Sequence, residues 1–199
     1  MLTSADILSM AEFEKVRPHK KQEILLLKQA RRLSVGPDIT FYFENTQTIW
    51  WQIHEMLRIE KGGEAQIADE LNAYNPMIPI NTPNSYEISA TMMIEINEPI
   101  RRQIVLKQLF GIDKQINFSW NNTTIPAFSI DQTQERNRES DGKTSSVHFL
   151  KWLLSPNQVS EFLINDVNIT ITNPHYFFNA KLPTILKDSF EKDFLLACN

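Results

Sequence analysis

From Phe43 to Lys61 the chain reads FENTQTIWWQIHEMLRIEK. Glu44, Glu55 and Glu60 stand there with His54, Arg58 and the pair Trp50 and Trp51. A carboxylate can take or give a proton, and an arginine fork can hold an anionic group. With polar residues further on, these define a candidate ligand cleft of Glu44, Asn45, His54, Glu55, Arg58, Tyr74, Asn75 and Glu87. A second use of the same stretch is a candidate partner surface of Trp51, Glu55 and Arg58.

Familiar chemistries fall away on spacing. HEMLR begins like the zinc motif H-E-x-x-H, but Arg58 stands where the second histidine must be. His19, His54, His148 and His175 lie neither three nor four apart, so no local metal pair forms and no metal is assigned. Iron held by carboxylates and one histidine stays chemically permitted. The chain has one cysteine, Cys198, which excludes an internal disulfide and a Cys-ligated cluster within one chain. No G-x-G-x-x-G, Walker or G-x-S-x-G pattern occurs, so no cofactor is implied by motif.

Charge narrows the partners. Twenty basic and 24 acidic residues leave a formal net charge of −4. That gives no electrostatic reason to expect nucleic acid or an anionic membrane. Lys20, Lys21, Lys28, Arg31 and Arg32 are the best candidates for a local basic patch. No apolar run approaches the roughly 20 residues of a membrane span, and the opening MLTSADILSMAEFEKVRP lacks a signal peptide's basic region. A cytoplasmic location is the expectation, since disulfides are absent there.

The elements that must position these residues follow from periodicity. Thr3 or Ser4 can cap a short first helix, and Pro18 is expected to open a second that ends before Val35, where Gly36 and Pro37 punctuate the chain. DITFYFEN alternates as a strand, and Asn45 or Thr46 caps the next helix, which Gly62 and Gly63 stop. At about 100° per residue, Ile49, Ile53, Met56 and Leu57 form that helix's core face, while Trp51, Glu55 and Arg58 point away. EAQIADELNAY is another helix, and NPMIPINTPN a proline-braced loop able to rim a cleft.

YEISATMMIEIN alternates most cleanly: Ile88, Ala90, Met92 and Ile94 share one face, and Glu87, Ser89, Thr91, Met93 and Glu95 the other. Pro99 opens a helix that ends at Gly111, and QINFSW, SSVHFLKWLL and DVNITIT are further strands. Pro156 and Pro183 open the last helices, and the polar stretch at about 131–143 reads as an exposed loop. His148 shares a strand face with Leu150 and Trp152, which suits a buried, hydrogen-bonded histidine. Short connections such as WNNTTI favour antiparallel pairing. The expectation is a single α+β domain over 1–199, a mostly antiparallel sheet with helices packed on one side.

Several stretches in order resemble a bacterial family called domain of unknown function 3501: LTSADIL, VGPDITFYFEN, QIHEMLRIE, DELNAYNPMIP, ISATMMIEI, SSVHFLKW and ITNPHYF. The likeness spans nearly the whole chain and implies no established activity. On the residues it carries over Glu44, Asn45, Gln52, Glu55, Arg58, Glu60, Tyr74, Asn75, Pro76, Glu87 and Glu95. Relatives of this kind are encoded near rubrerythrin-like and iron–sulfur oxidoreductase proteins. The resemblance therefore implies redox or stress physiology. Two readings stand. One is a non-catalytic accessory protein with a redox-protein partner, with a homo-oligomer also open. The other is a small-ligand-binding protein or enzyme with a carboxylate and arginine cleft.

Overall fold

The structure, a computed structural model, describes residues 1–130 and 142–195. The loop expected at 131–143 lies outside the described residues except for its last two positions. Thr3 caps a single 3-10 turn, Ser4–Asp6. The first long helix, α1 (Met10–Ala30), starts eight residues before Pro18 and runs through it. Ser9 and Glu12 cap its start reciprocally, so the helix is already committed when the proline arrives. The lost Pro18 bond is offset by docking: Phe13 and Ile24 of α1 pack with Trp51.

Strand β1 (Arg32–Val35) takes residues expected to end a helix and pairs with β2 (Ile39–Glu44). Gly36 turns between them at φ +73°, and a Cβ there would collide with the Tyr176 hydroxyl and the Phe178 ring. Asn45 caps α2 (Thr46–Glu60), accepting from the amides of Gln47 and Thr48. Helix α3 (Glu64–Tyr74) and a 3-10 turn at Asn75–Met77 lead into β3 (Tyr86–Ile94). There follow α4 (Pro99–Gln108), β4 (Ile116–Trp120), β5 (Thr123–Pro126), β6 (Phe128–Ser129) and β7 (Val147–Leu154). Helix α5 (Pro156–Ile164), β8 (Asn168–Asn173), β9 (Tyr176–Lys181) and α6 (Thr184–Leu195) complete the order.

The chain is α+β, and its strands form two antiparallel sheets, ordered β1-β2-β3-β7-β6 and β5-β4-β8-β9. The sheets share one core. Phe41 and Phe43 of β2, Ile88 and Met92 of β3 and Trp152 of β7 bury together with Phe118, Ile169 and Ile171 of the smaller sheet. The Phe118 and Trp152 rings lie 4.6 Å apart. Phe162 of α5 and Phe190 of α6 join this core, so not every helix lies on the same side.

The other face of the larger sheet receives α1 to α3. Ile49, Ile53 and Leu57 of α2 cluster with Met77, Ile78 and Phe149. Register decides what lies beneath α2, because every second residue faces it. Glu44 stands opposite Ser89 and Tyr42 opposite Thr91. Thr91 in turn stands opposite Phe149, and Met93 opposite Val147. Ser89 and Thr91 of the polar face expected of β3 therefore lie beneath helices, while Glu95 beyond the strand's end stays open to water.

Candidate functional site

Glu44 ends β2 on that covered face and is 9% exposed. Both carboxylate oxygens accept hydrogen bonds. Thr91 Oγ1 donates to one at 2.8 Å, and Thr48 Oγ1 to the other at 2.5 Å. Thr48 belongs to the first turn of α2, so the same cap that starts the helix also aims its hydroxyl at Glu44. Among the described residues, no Lys, Arg or His lies within ion-pairing distance of this carboxylate. A carboxylate taken out of water ordinarily needs a cation or several donors.

Behind the carboxylate Arg31 fixes the chain. Its guanidinium is 2% exposed and donates to the carbonyls of Phe43 and Glu44, to Ser189 Oγ, and to Asp193 Oδ2 at 2.6 Å. The expected basic patch loses this member to the interior, and Lys20 pairs with Glu23.

Glu44 faces a cavity of about 340 Å³ between the sheet and the helices. Lys28 of α1, Gln52 of α2, Tyr74 of α3, and Tyr42 and Thr91 supply its other polar groups. Ile49, Met77, Met93, Val147 and Phe149 supply the apolar wall. Burial pushes the Tyr74 phenol above its ordinary pKa, while a hydrogen bond from Gln52 works the other way. Burial also raises Tyr42, helped by its bond to Glu95 at 3.0 Å. Both phenols are therefore neutral hydrogen-bonding groups at neutral pH.

Of the expected cleft, only Glu44 and Tyr74 line this cavity. The rest are committed elsewhere. Asn45 is the α2 cap, and Asn75 ties down Leu2 through two bonds of 2.9 Å. His54 is fully buried: its Nδ1 donates to the Trp50 carbonyl at 2.8 Å, and its Nε2 accepts from the Leu8 amide at 3.0 Å. The carbonyl only accepts and the amide only donates, so these partners select the neutral tautomer and leave no lone pair for a metal. Burial lowers the His54 pKa.

Glu55 takes a two-pronged bond from Arg17, at 2.6 and 3.0 Å, which draws its pKa down. Arg58 bonds Glu14 at 2.6 Å. Glu87 shares the sheet face with Glu44 but is taken by Lys151 at 2.6 Å and by the Ile80 amide.

The residues of the expected partner surface are also engaged within the chain. Trp51 is only 7% exposed, because α1 lies across it and sets the Phe13 ring 5.5 Å away. Glu55 and Arg58 meet α1 through Arg17 and Glu14. The face turned away from the sheet is a helix–helix seam. Arg58 borders a second hollow of about 1120 Å³, between the N-terminal segment, α2 and α3. Glu14 and Arg58 neutralise each other on its wall. Among the described residues, no three His, Cys, Asp or Glu side chains gather, so the iron idea finds no ligand set there.

Sequence reasoning missed Lys28, Thr48 and Tyr42 as wall or anchor residues. Tyr42 was legible in principle, since it alternates with Phe41 and Phe43. Lys28 was not, because its place depends on where α1 docks.

A family model described as "Protein of unknown function (DUF3501)" matches residues 1–194. A crystal structure of a novel protein of unknown function from Burkholderia pseudomallei is similar, with a TM-score of 0.85 and 30% identity, over 96% of this chain and 98% of that one. No curated protein matches. Among the described residues, no helix is long and apolar enough to cross a membrane.

Proposed function

Since the chain belongs to the family of proteins of unknown function DUF3501, whose name carries no activity, we propose from the cavity itself that the protein binds a small organic ligand bearing a cationic nitrogen, with Glu44 as the recognising group. One observation carries this. Glu44 is a buried carboxylate on a cavity wall, given two hydroxyl donors and no cation among the described residues. A bound ammonium would supply the missing countercharge in a low-dielectric setting, where it counts most.

The volume supports a small ligand. Small-molecule sites span roughly 300–1,000 Å³, and this one lies near the lower end. The accessory reading, with a redox-protein partner, draws on the lack of a cofactor motif, the mild charge and an outward Trp51; α1 covers Trp51, so the cavity is the better-supported reading.

The test is a thermal-shift titration of the full chain with 3-methylbutylamine and benzylamine. Saturable stabilisation that disappears in Glu44→Gln is the expected result. If neither these amines nor any amino acid shifts the protein, or if the shift survives E44Q, the reading is wrong.

A further inference from the structure

We infer that the ligand is a zwitterion of amino-acid size, its cationic nitrogen at Glu44 and an anionic group at Lys28; this rests on the proposed reading of the cavity. Lys28 lines the same cavity from α1 and is half-buried. Its ammonium makes no hydrogen bond or ion pair among the described residues. Among nearby basic residues Arg17 holds Glu55, Lys20 holds Glu23 and Arg31 holds Asp193, while Lys21 is exposed to water and lines no part of the cavity.

The cavity is thus walled by one unpaired acid and one unpaired base that do not meet each other. Opposite charges in a poorly solvated space attract strongly and would close up if they could. Here no ion pair joins them. Thr48 and Thr91 pin the carboxylate to the sheet and to the start of α2, and Lys28 is carried by a different helix. A molecule carrying both charges would bridge them, exchanging water at each end for a charge-assisted hydrogen bond.

The remaining wall describes the body of that molecule. Met77, Met93, Val147 and Phe149 are apolar, and methionines adapt to irregular shapes. Tyr42, Tyr74 and Gln52 add neutral polar groups. Lys28 is the one cation on the lining among the described residues, which disfavours nucleotides and other phosphate-rich ligands that need several.

The experiment screens the twenty amino acids by thermal shift on the full chain. The best is then compared by calorimetry with its decarboxylated amine and its deaminated acid. For leucine these are 3-methylbutylamine and 4-methylpentanoate. The zwitterion is expected to bind at least tenfold tighter than either. Glu44→Gln should weaken the zwitterion and the amine. Lys28→Met should weaken the zwitterion but not the amine, whose binding loses no contact and sheds a like charge; saturable amine binding shows that the variant is folded.

Amines that bind as tightly as every amino acid, or K28M binding the zwitterion like wild type, would overturn this inference while leaving the amine site intact. Silence from amines and amino acids alike would remove both.

Discussion

Arg31 anchors the backbone of Glu44, and unfolding measures how much that anchor is worth. The perturbation is Asp193→Ala. Arg31 has four acceptors, but the Phe43 and Glu44 carbonyls and the Ser189 hydroxyl are neutral, so among the described residues Asp193 alone supplies a paired countercharge. At 2% exposure the guanidinium cannot turn to water without opening the seam between β2 and α6. Breaking a buried pair from one side costs about 3–5 kcal/mol, a large part of the ~5–15 kcal/mol that holds a domain folded.

Equilibrium urea unfolding measures the loss. With slopes of about 1–3 kcal/mol per molar, the midpoint should fall by roughly 1–5 M. Asp193→Asn keeps an acceptor without the charge and should fall between. Adding Arg31→Met to D193A removes the stranded cation, so the double variant should lose less than the two single losses combined. A D193A loss under about 1 kcal/mol, or strict additivity, would show that Arg31 finds its countercharge elsewhere.

Three further outcomes follow from the same geometry. His54 has a lowered folded pKa, so below about pH 6.5 the unfolded chain binds the extra proton and stability falls with pH; His54→Gln should flatten that fall between pH 7.5 and 5.5, and an unchanged slope would count against it. Trp51→Ala should cost about 3–5 kcal/mol by urea unfolding because the ring packs on Phe13, whereas a free surface tryptophan would cost almost nothing. Glu87→Ala strands the buried Lys151 ammonium and frees the Ile80 amide, so hydrogen exchange at Ile80 should quicken and stability should drop by about 3 kcal/mol; unaltered exchange would mean the proline loop is held by Asn81 alone.

Local patterns determined much of this protein. The strict alternation from Tyr86 to Ile94 set both faces of β3, and Asn45 set the start of α2. Glu44 and Tyr74 were legible as candidates because polar groups beside regular elements are conspicuous. Both remained in the site. Three things lay beyond any local pattern. The first was α1 running through Pro18, since capping at Ser9 and docking on α2 outweigh one missing backbone bond. The second was the fate of Trp51, Glu55 and Arg58: helical spacing says which way a side chain points, not what another helix lays over it. The third was the cavity, which brings Lys28, Glu44, Tyr74 and Thr91 together from four elements. Chain order does not encode such a meeting. It arises when α1 to α3 settle on a sheet whose register has already placed Glu44 and Thr91 side by side.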